Sequence, residues 1–545
     1  MSRLPATITI GQRQVNVGLT AVDQLVNWFS PAAGQKRFEA RARLSMLGGY
    51  TSADKSRRAN QLGGKRELSA DSAIQPDLIT LREESQHLER NNPIACGALK
   101  TNITKVVGTG LRVRAKIDRA VLRLSEEQAN AWEQAAEREF RLATETREID
   151  AERELPFALL QGLAFLRTLA DGDVLVNLPQ IKRAGSPYAT KVQLIEAARL
   201  CNPKFAPDTA TLIGGVAKDQ HGAPETYHIC NQHPGNLRFP SALSTTKYTW
   251  TPLTAFAKNG TPLALHLKDK TRPGQTRGVP YLAPVIELIK QMGRYTDAEV
   301  MAAVVSGMFT VIVHNETGNP EFGVAPTLDN PTGDTSKQVD TTGVEMGYGS
   351  VIGIPGNTSI EFANPARPNT AFDPFLIAIT RQIGMALELP FEVLLKHFTA
   401  SYSAARAALL DAWDYFKRRR HWLVVQFCQP IYEAIITEAI VSGRLSAPGF
   451  LFDPLVRKAW LGTRWVGDAP GEIDPVKAVD AAKGRIDLLL TTLEDECEAM
   501  TGNDHETIQP QIVREATWKK ENGLIAEKAV VRPNQPDPIE APDEE

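Results

Sequence analysis

Cysteine is scarce in this sequence, and the few cysteines are scattered. The chain of 545 residues contains five of them and no Cys-x-x-Cys pair. They are Cys96, Cys201, Cys230, Cys428 and Cys497. The nine histidines do not cluster with them at the spacing of metal ligands. An odd, dispersed set of thiols is typical of a reducing compartment, so we expect neither a disulfide framework nor a metal site.

Long hydrophobic runs are also lacking. The longest, residues 300–313, is interrupted by Ser306, Gly307 and Thr310. It is shorter than the roughly 20 apolar residues that cross a bilayer. The first residues include no apolar segment of the length that a secretion signal needs. The sequence therefore predicts a soluble protein that makes no contact with a membrane.

The common catalytic motifs are absent. The sequence contains no G-x-x-x-x-G-K-[ST], no H-E-x-x-H and no G-x-S-x-G. We therefore expect no cofactor and no enzymatic activity. Asp171 and Asp173 can be interpreted as a D-x-D pair for a divalent cation. We favour a polar turn before the following strand, because no third ligand is apparent.

Net charge is low but unevenly distributed. A formal charge of −3 argues against a protein that coats nucleic acid by bulk attraction. Residues 34–66 nevertheless hold nine basic side chains against two acidic ones. This basic arm fits contact with nucleic acid or an acidic neighbour, and it fits a solvated arm equally well.

One very long helix dominates what the sequence does contain, between about residues 399 and 445. Its apolar side chains recur at helical spacing. They are Leu409, Trp413, Phe416, Leu423, Phe427 and Ile431. Pro430 predicts a kink, and Gly443 predicts the end of the helix. A helix of about 35–40 residues spans roughly 50–60 Å, which suggests an extended structural part.

The remaining pattern predicts an α+β protein that is mainly helical. Short strands (VLVNLP, KVQLIEA, TYHIC, LALHL) lie between residues 155 and 267, separated by turns. A long amphipathic helix covers residues 280–308, and a capping box at Thr296 and Glu299 would divide it in two. Strand candidates TVIVH, SVIGI and SIEFA follow, and then a helix over residues 372–395. Asp474 and Pro475 begin further helices.

Five stretches of the chain carry a recognisable pattern. They are ERNNPIACGALKTNITKVVGTGLRV (89–113), LRTLADGDVLV (166–176), RGVPYLAPVIELIKQMGRYTDAE (277–299), SYSAARAALLDAWDYFKRRR (401–420) and GEIDPVKAVDAAKGRIDLLLTTLEDECEAMTGND (471–504). In this order they resemble the lambda-type portal proteins of tailed bacteriophages. The resemblance covers roughly residues 35–525. Asp173 stands where that family more often has glutamate.

The resemblance implies a portal-type subunit with wing, stem, clip and crown, which forms a ring around a central channel. The implied segments are a basic N-terminal arm (1–66), an α+β wing (67–279), a first stem helix (280–310), a clip (311–371), a second stem helix (372–396), a tunnel loop (397–405), a long kinked helix with the return to the wing (406–470), a helical crown (471–530) and a disordered acidic tail (531–545).

The resemblance also implies a function. Similar proteins form a dodecameric ring at one capsid vertex, through which double-stranded DNA is packaged and ejected without sequence specificity. The implied partners are the terminase large subunit, the major capsid and scaffolding proteins, and the head–tail connector protein. The implied location is the virion, after assembly in the host bacterial cytoplasm. Two alternatives stay open, a structural capsid or connector protein outside this family and a DNA-processing enzyme subunit.

Two groups of residues are candidates for contact with DNA. The resemblance makes the loop before the long helix a tunnel loop, with small and hydroxyl-bearing side chains and no carboxylate. Its candidates are His397, Thr399, Ser401, Tyr402 and Ser403. The second group is the basic run Lys417, Arg418, Arg419 and Arg420. Consecutive positions point all around a helix, so ion pairs or a solvated face are favoured for that run.

Overall fold

The computed structural model describes residues 7–10, 13–16, 67–236, 248–314, 350–354, 372–397, 401–470, 474–502 and 505–524, with single positions 28, 30, 32 and 36. The chain divides into two compact units, Met1–Leu68 and Ser69–Glu545. In the first unit, strands β1 (Thr7–Ile10) and β2 (Arg13–Asn16) form an antiparallel pair. The second unit contains the other elements named below.

The second unit is mainly helical. Its helices are α1 (Ala70–Ile74), α2 (Leu78–Asn91), α3 (Pro93–Val106), α4 (Arg119–Leu122), α5 (Glu126–Thr144), α6 (Phe157–Asp171), α7 (Ile286–Met308), α8 (Phe372–Ala386), α9 (Phe391–Leu395), α10 (Tyr402–Leu423), α11 (Gln429–Val441), α12 (Pro454–Trp460), α13 (Pro475–Asp487), α14 (Leu493–Thr501) and α15 (His505–Glu521). The local sequence explains where several of these helices begin. Asn92 accepts hydrogen bonds from the first turn of α3, and Asp474 does the same for α13.

Four small sheets lie among the helices in the described part of this unit. Their strands are β3 (Arg112–Ala115), β4 (Asp173–Asn177), β5 (Gln193–Glu196), β6 (Leu212–Ile213), β7 (Val216–Lys218), β8 (Pro224–Cys230), β9 (Trp250–Thr254), β10 (Ala264–Lys268), β11 (Phe309–His314), β12 (Ser350–Ile354) and β13 (Thr463–Val466). The orders are β10-β4-β5, β6-β7-β8-β9, β3-β13 and β11-β12, and only the last pair is parallel. The predicted mixture of helices and short strands is confirmed.

The main hydrophobic core gathers side chains from most of these helices, and the long helix crosses it. Phe427, Ile431, Tyr432 and Ile435 are fully buried. Phe427 stacks on Phe157 of α6, with ring centroids 5.6 Å apart. The run Ser403–Val441 is long and apolar enough to pass a membrane-span test, but so is the core helix of a globular protein. From Ala412 onward, this run packs in the hydrophobic core with the other helices.

An irregularity of the helix lies directly before Pro430, where the sequence predicts a kink. Between α10 and α11, residues Val424–Cys428 form a π-helical segment, in which the Gln429 N–H donates to the Val424 carbonyl. Pro430 falls in the first turn of α11, where its missing N–H is tolerated. The widened turn directly before the proline therefore accommodates it. The predicted end at Gly443 is confirmed, with that residue at φ +76° just after α11.

Two other predictions from the sequence need correction. Residues 372–395 form two helices, because the chain turns at Glu388 (φ +54°) and Pro390 begins α9. The alternative division of the long amphipathic helix is wrong. Helix α7 is continuous across Thr296, whose hydroxyl donates to the Met292 carbonyl within the helix.

Several predicted segments fall partly or wholly outside the described residues. The basic arm lies almost entirely outside them, and so does the acidic tail at residues 531–545. Of the predicted clip, β11 and β12 match TVIVH and SVIGI, while SIEFA is not among the described residues.

Candidate nucleic-acid interface

The loop between α9 and α10 is the first candidate interface. Helix α9 ends at Lys396, which has a left-handed backbone (φ +54°), and the His397 N–H donates to the Glu392 carbonyl at 3.2 Å. At the other end, the Ser401 and Ser403 hydroxyls lie 3.2 Å apart. His397, Ser401 and Ser403 are exposed, whereas Thr399 and the side chain of Tyr402 lie outside the described part of the chain. The described loop residues therefore leave hydroxyl and imidazole groups accessible.

The first turns of α10 continue this exposed surface. From Ser403 to Asp411 the described side chains are exposed or half-buried, and Leu410 is 58% exposed. Leu409 is partly buried and packs against the core, and Ala412, Tyr415 and Phe416 are buried. The loop and roughly the first two turns of α10 therefore lie mostly outside the core of their own subunit.

The basic run at the middle of α10 divides by burial. Arg420 donates to the carbonyls of Lys105, Val106 and Asp468 at 3.0–3.1 Å, so it caps the C-terminal end of α3. Arg419 pairs with Asp269 at 2.5 Å and lies over the Tyr415 ring, with 14% of its side chain exposed. These two guanidinium groups are engaged within the subunit.

The other two cations of the run are more accessible. Lys417 pairs with Asp414 at 2.7 Å, and Arg418 with Glu388 at 2.5 Å. Their side chains are 57% and 62% exposed. Exposed pairs of this kind contribute about 0–1 kcal/mol and exchange readily for other anions. Contact between the basic run and DNA stays a prediction, and Lys417 and Arg418 are its accessible members.

Asp171 and Asp173 do not form a cation site of the predicted kind. Asp173 is fully buried and accepts from Arg277 at 2.6 and 3.0 Å, from Arg82 at 2.9 Å and from the Gly278 N–H at 3.0 Å. His266 lies 3.1 Å from the same carboxylate. Among the described residues, no group of three or more metal-ligating side chains occurs. The favoured turn before the strand is present, with Gly172 between the end of α6 and the start of β4, and Asp173 is in addition the centre of a buried ion-pair cluster.

Burial and ion pairing together set the protonation states of this cluster. Burial disfavours the ionised carboxyl, but Arg277 and Arg82 outweigh it and hold the pKa of Asp173 well below its usual range. Burial lowers the pKa of His266 to about 4, so this imidazole is neutral near pH 7. Asp171 contacts Gln86 at 3.0 Å and Arg167 at 3.5 Å, and burial raises the pKa of its carboxyl.

Two glycines allow the backbone segments that carry Asp173 and Arg277 to lie in contact. A Cβ on Gly278 would lie 1.9 Å from the Gly172 carbonyl oxygen, and Gly172 has φ +89°. Only glycine permits this approach of two backbones. The contact joins two of the five recognisable stretches, 166–176 and 277–299. A third stretch joins them through Glu89, which pairs with Arg167. Sequence reasoning missed Arg82, His266 and Arg277, because their spacing from Asp173 carries no local signal.

Comparison with known proteins decides the family. A model of "Phage portal protein, lambda family" matches residues 55–420, more than half of the chain. The chain belongs to the lambda family of phage portal proteins. Curated portal relatives agree with this assignment. The portal protein of Escherichia phage N15 is 24% identical over 479 residues, covering 84% of this chain and 87% of the relative. Portal protein B of Escherichia phage lambda is 24% identical over 473 residues, with the same coverage.

Matches among solved structures have low TM-scores. They include the virion of a native gene transfer agent particle (TM-score 0.37, 10% identity, 77% of this chain and 92% of that chain) and the neck of a native particle computed with C12 symmetry (TM-score 0.35, 11% identity, 77% and 92%). The lambda family is a family of structural proteins of the virion. In this portal protein, the contacts of Arg167, Asp173 and Gly278 join three of the recognisable stretches within the subunit.

Proposed function

We propose that twelve copies of this chain form a ring at one vertex of a phage capsid, and that double-stranded DNA passes through its channel during packaging and ejection. Family membership over residues 55–420 carries the proposal. In this role the terminase large subunit docks on the ring during packaging and the head–tail connector docks later. The major capsid and scaffolding proteins surround it during assembly in the host cytoplasm. The ring is a conduit, and no catalytic step is assigned to it.

Exposed apolar side chains support assembly. Phe452 is 92% exposed beside Leu451 and Leu455, and Leu488, Leu489 and Leu490 are 72–90% exposed after α13. Exposed apolar groups of this size mark interaction surfaces. A head-to-tail ring buries two different surfaces of each subunit, so two separate apolar regions suit such a ring.

The loop at residues 397–403 is our candidate for the channel surface. Its described side chains are exposed, and it precedes the first turns of α10, whose described side chains are mostly exposed. Small hydroxyl groups offer weak and repeated contacts, as passage without sequence specificity requires. The more accessible cations, Lys417 and Arg418, are candidates for a second contact on the same helix.

Assembly is tested by the mass and shape of the purified protein. We expect rings of roughly 0.7 MDa, twelve copies of the 59.7 kDa chain, with a central channel in class-averaged electron micrographs. The rings should persist in reducing agent, because the cysteines of the described residues are free thiols. A purified protein that stays monomeric at micromolar concentration, or rings that reductant dissolves, would contradict the proposal.

A further inference from the structure

A basic cleft of about 870 Å³ lies beside the π-helical segment, on a part of the molecule not yet assigned to any partner. Val424 and Val425 of that segment line the cleft together with Leu461 and Trp465. The basic lining residues are Lys417, Arg420, His421, Arg457, Lys458 and Arg464. Glu433 is the only carboxylate that lines this cleft among the described residues. The cleft therefore combines apolar lining residues with an excess of positive charge.

Two of its cations have no acidic partner in the described part of the chain. Arg457 contacts the Thr261 hydroxyl at 3.4 Å and lies over the Phe450 ring, and no described carboxylate is within 4 Å of it or of Lys458. Arg420 is held by three carbonyl groups. By contrast, Arg464 pairs with Asp495 and Glu498 of α14. An anionic ligand would therefore meet unneutralised charge at Arg457 and Lys458.

The chain itself supplies a ligand of complementary charge. Residues 531–545 contain five carboxylates and one arginine, with four prolines among them. The carboxylates are Asp537, Glu540, Asp543, Glu544 and Glu545. Proline favours extended chain, which loses little conformational freedom on binding. A cleft of this volume takes a short peptide segment, whereas duplex DNA would present only its convex backbone to it.

The acidic segment is long enough to reach the basic cleft of its own subunit. Pro510 of α15 and Arg464 line one neighbouring cleft, so this turn of α15 lies close to the basic cleft. From Pro510 to Leu524 the chain advances about 21 Å at helical rise. The 13 residues from Leu524 to Asp537 extend at most about 43 Å. The first acidic residue can therefore return to Arg464 even if α15 points directly away.

We propose that the acidic segment 531–545 binds in the basic cleft of its own subunit, with its carboxylates at Arg457 and Lys458. Because the segment is tethered, its effective concentration at the cleft is of millimolar order, and weak ion pairs suffice for occupancy. The tethered segment would then compete with any other polyanion that approaches the cleft. This inference does not depend on ring formation or on a DNA channel.

Carbodiimide cross-linking of the full-length protein tests this directly, since it couples an amine only to a carboxylate in ion-pair contact. We expect Lys458 to couple to Asp537, Glu540 or a neighbouring carboxylate, identified by mass spectrometry. Lys290 and Glu84, which form an ion pair between α7 and α2, provide the internal positive control. Arg457→Gln should lower the Lys458 yield about threefold, as loss of one partly exposed ion pair implies. Lys182→Gln, at an exposed position outside the cleft, should leave it unchanged.

Three results would overturn the proposal. The first is a Lys290–Glu84 cross-link without any link from Lys458 to residues 531–545. The second is an equal Lys458 yield in Arg457→Gln and Lys182→Gln. The third result comes from isotope-labelled and unlabelled protein that are mixed and assembled together. Cross-links that join labelled to unlabelled peptides would assign the segment to a neighbouring subunit. If links to the segment are absent and Arg457→Gln, unlike Lys182→Gln, weakens binding of a short DNA duplex, the cleft is a DNA site instead.

Discussion

At the scale of single residues, Asp173 shows how a polar motif can serve the interior of a protein. Its carboxylate is shared by Arg82 and Arg277, which come from a helix and a loop far apart in the sequence. Arg277 also donates to the carbonyls of Ala197, Leu200 and Gly214. Removing one partner of a buried pair leaves the other charge uncompensated, which is why such pairs are sensitive to substitution.

We therefore expect Asp173→Asn to lower the free energy of unfolding by about 3–5 kcal/mol, because two buried guanidinium groups lose their counter-ion. The matched control is Glu126→Gln, which breaks the exposed pair with Arg119 and should cost less than about 1 kcal/mol. Denaturant titration of both variants measures the difference. Equal stability of the two variants would mean that the cluster contributes nothing to folding.

His266 makes stability depend on pH. Burial lowers the pKa of His266 from 6.5 to about 4, so the folded state binds fewer protons than the unfolded state between these values. The contribution of His266 to the free energy of unfolding is present above pH 6.5 and is lost as the pH falls towards 4. From about pH 7.5 to about pH 5 this group alone should remove about 2 kcal/mol of unfolding free energy.

The measurement compares the wild type with His266→Gln, which keeps a donor for Asp173 but does not titrate. The variant should show a smaller loss of stability over the same pH interval. Asp173 does not confuse the comparison, since its depressed pKa places its own loss at lower pH. Parallel pH profiles for the two proteins would contradict the assignment to His266.

At the scale of elements, the π-helical segment sets the register between α10 and α11. Side chains are buried on both sides of it, with Tyr415 and Phe416 before and Ile431 and Tyr432 after. A π turn contains one residue more than an α turn, so its removal rotates one half of the helix against the other. Packing on both sides, and not the proline alone, therefore holds the segment in place.

Pro430→Ala should consequently change the unfolding free energy by no more than about 1 kcal/mol, because the widened turn is fixed by the buried side chains around it. Deletion of the half-exposed Val425 should cost more than about 4 kcal/mol, because α-helical pitch would turn one set of buried residues towards solvent. Thermal unfolding followed by circular dichroism compares the two. A well-tolerated deletion would show that the register is not fixed.

The elements also show which features the sequence can predict. Strands such as β4 and β10 follow from short apolar runs bounded by turn residues, and the start of α13 follows from its capping residue. The turn at Glu388 interrupts a helical pattern that continues on both sides of it, so periodicity alone misses it. The partners of Asp173 could not be found, because ion pairing across 91 to 104 residues leaves no spacing to detect. The loop at residues 397–403 was located by resemblance, and its contact with DNA stays a prediction.

At the scale of the whole molecule, the proposed channel brings the loop at residues 397–403 close to DNA phosphates. The passage of DNA should therefore depend more on the charge of the loop than on its shape. Ser401→Arg together with Ser403→Arg should leave folding and ring formation intact, because both positions are exposed. Cations repeated around the ring would hold the phosphates of DNA and impair its packaging, and salt should partly relieve the defect.

The control carries the same added charge elsewhere. Ala210→Arg with Gln220→Arg places two cations at exposed positions beside the four-stranded sheet. A packaging assay with purified proheads compares the rate and the length of DNA packaged by the two variants. Normal packaging by the Ser401 and Ser403 variant would show that the loop does not meet DNA.

The exposed start of α10 has a mechanical consequence. The first two turns, roughly 10 Å of helix, project from a support that begins with the partly buried Leu409 and the buried Ala412, so this part of the subunit acts as a cantilever. A sideways load at its loop end produces a torque that is greatest at the first anchored turn. In the next turn, the Tyr415 hydroxyl donates to Asn102 of α3 at 2.9 Å. Part of a force applied at the loop would therefore be passed to α3, which begins at Pro93.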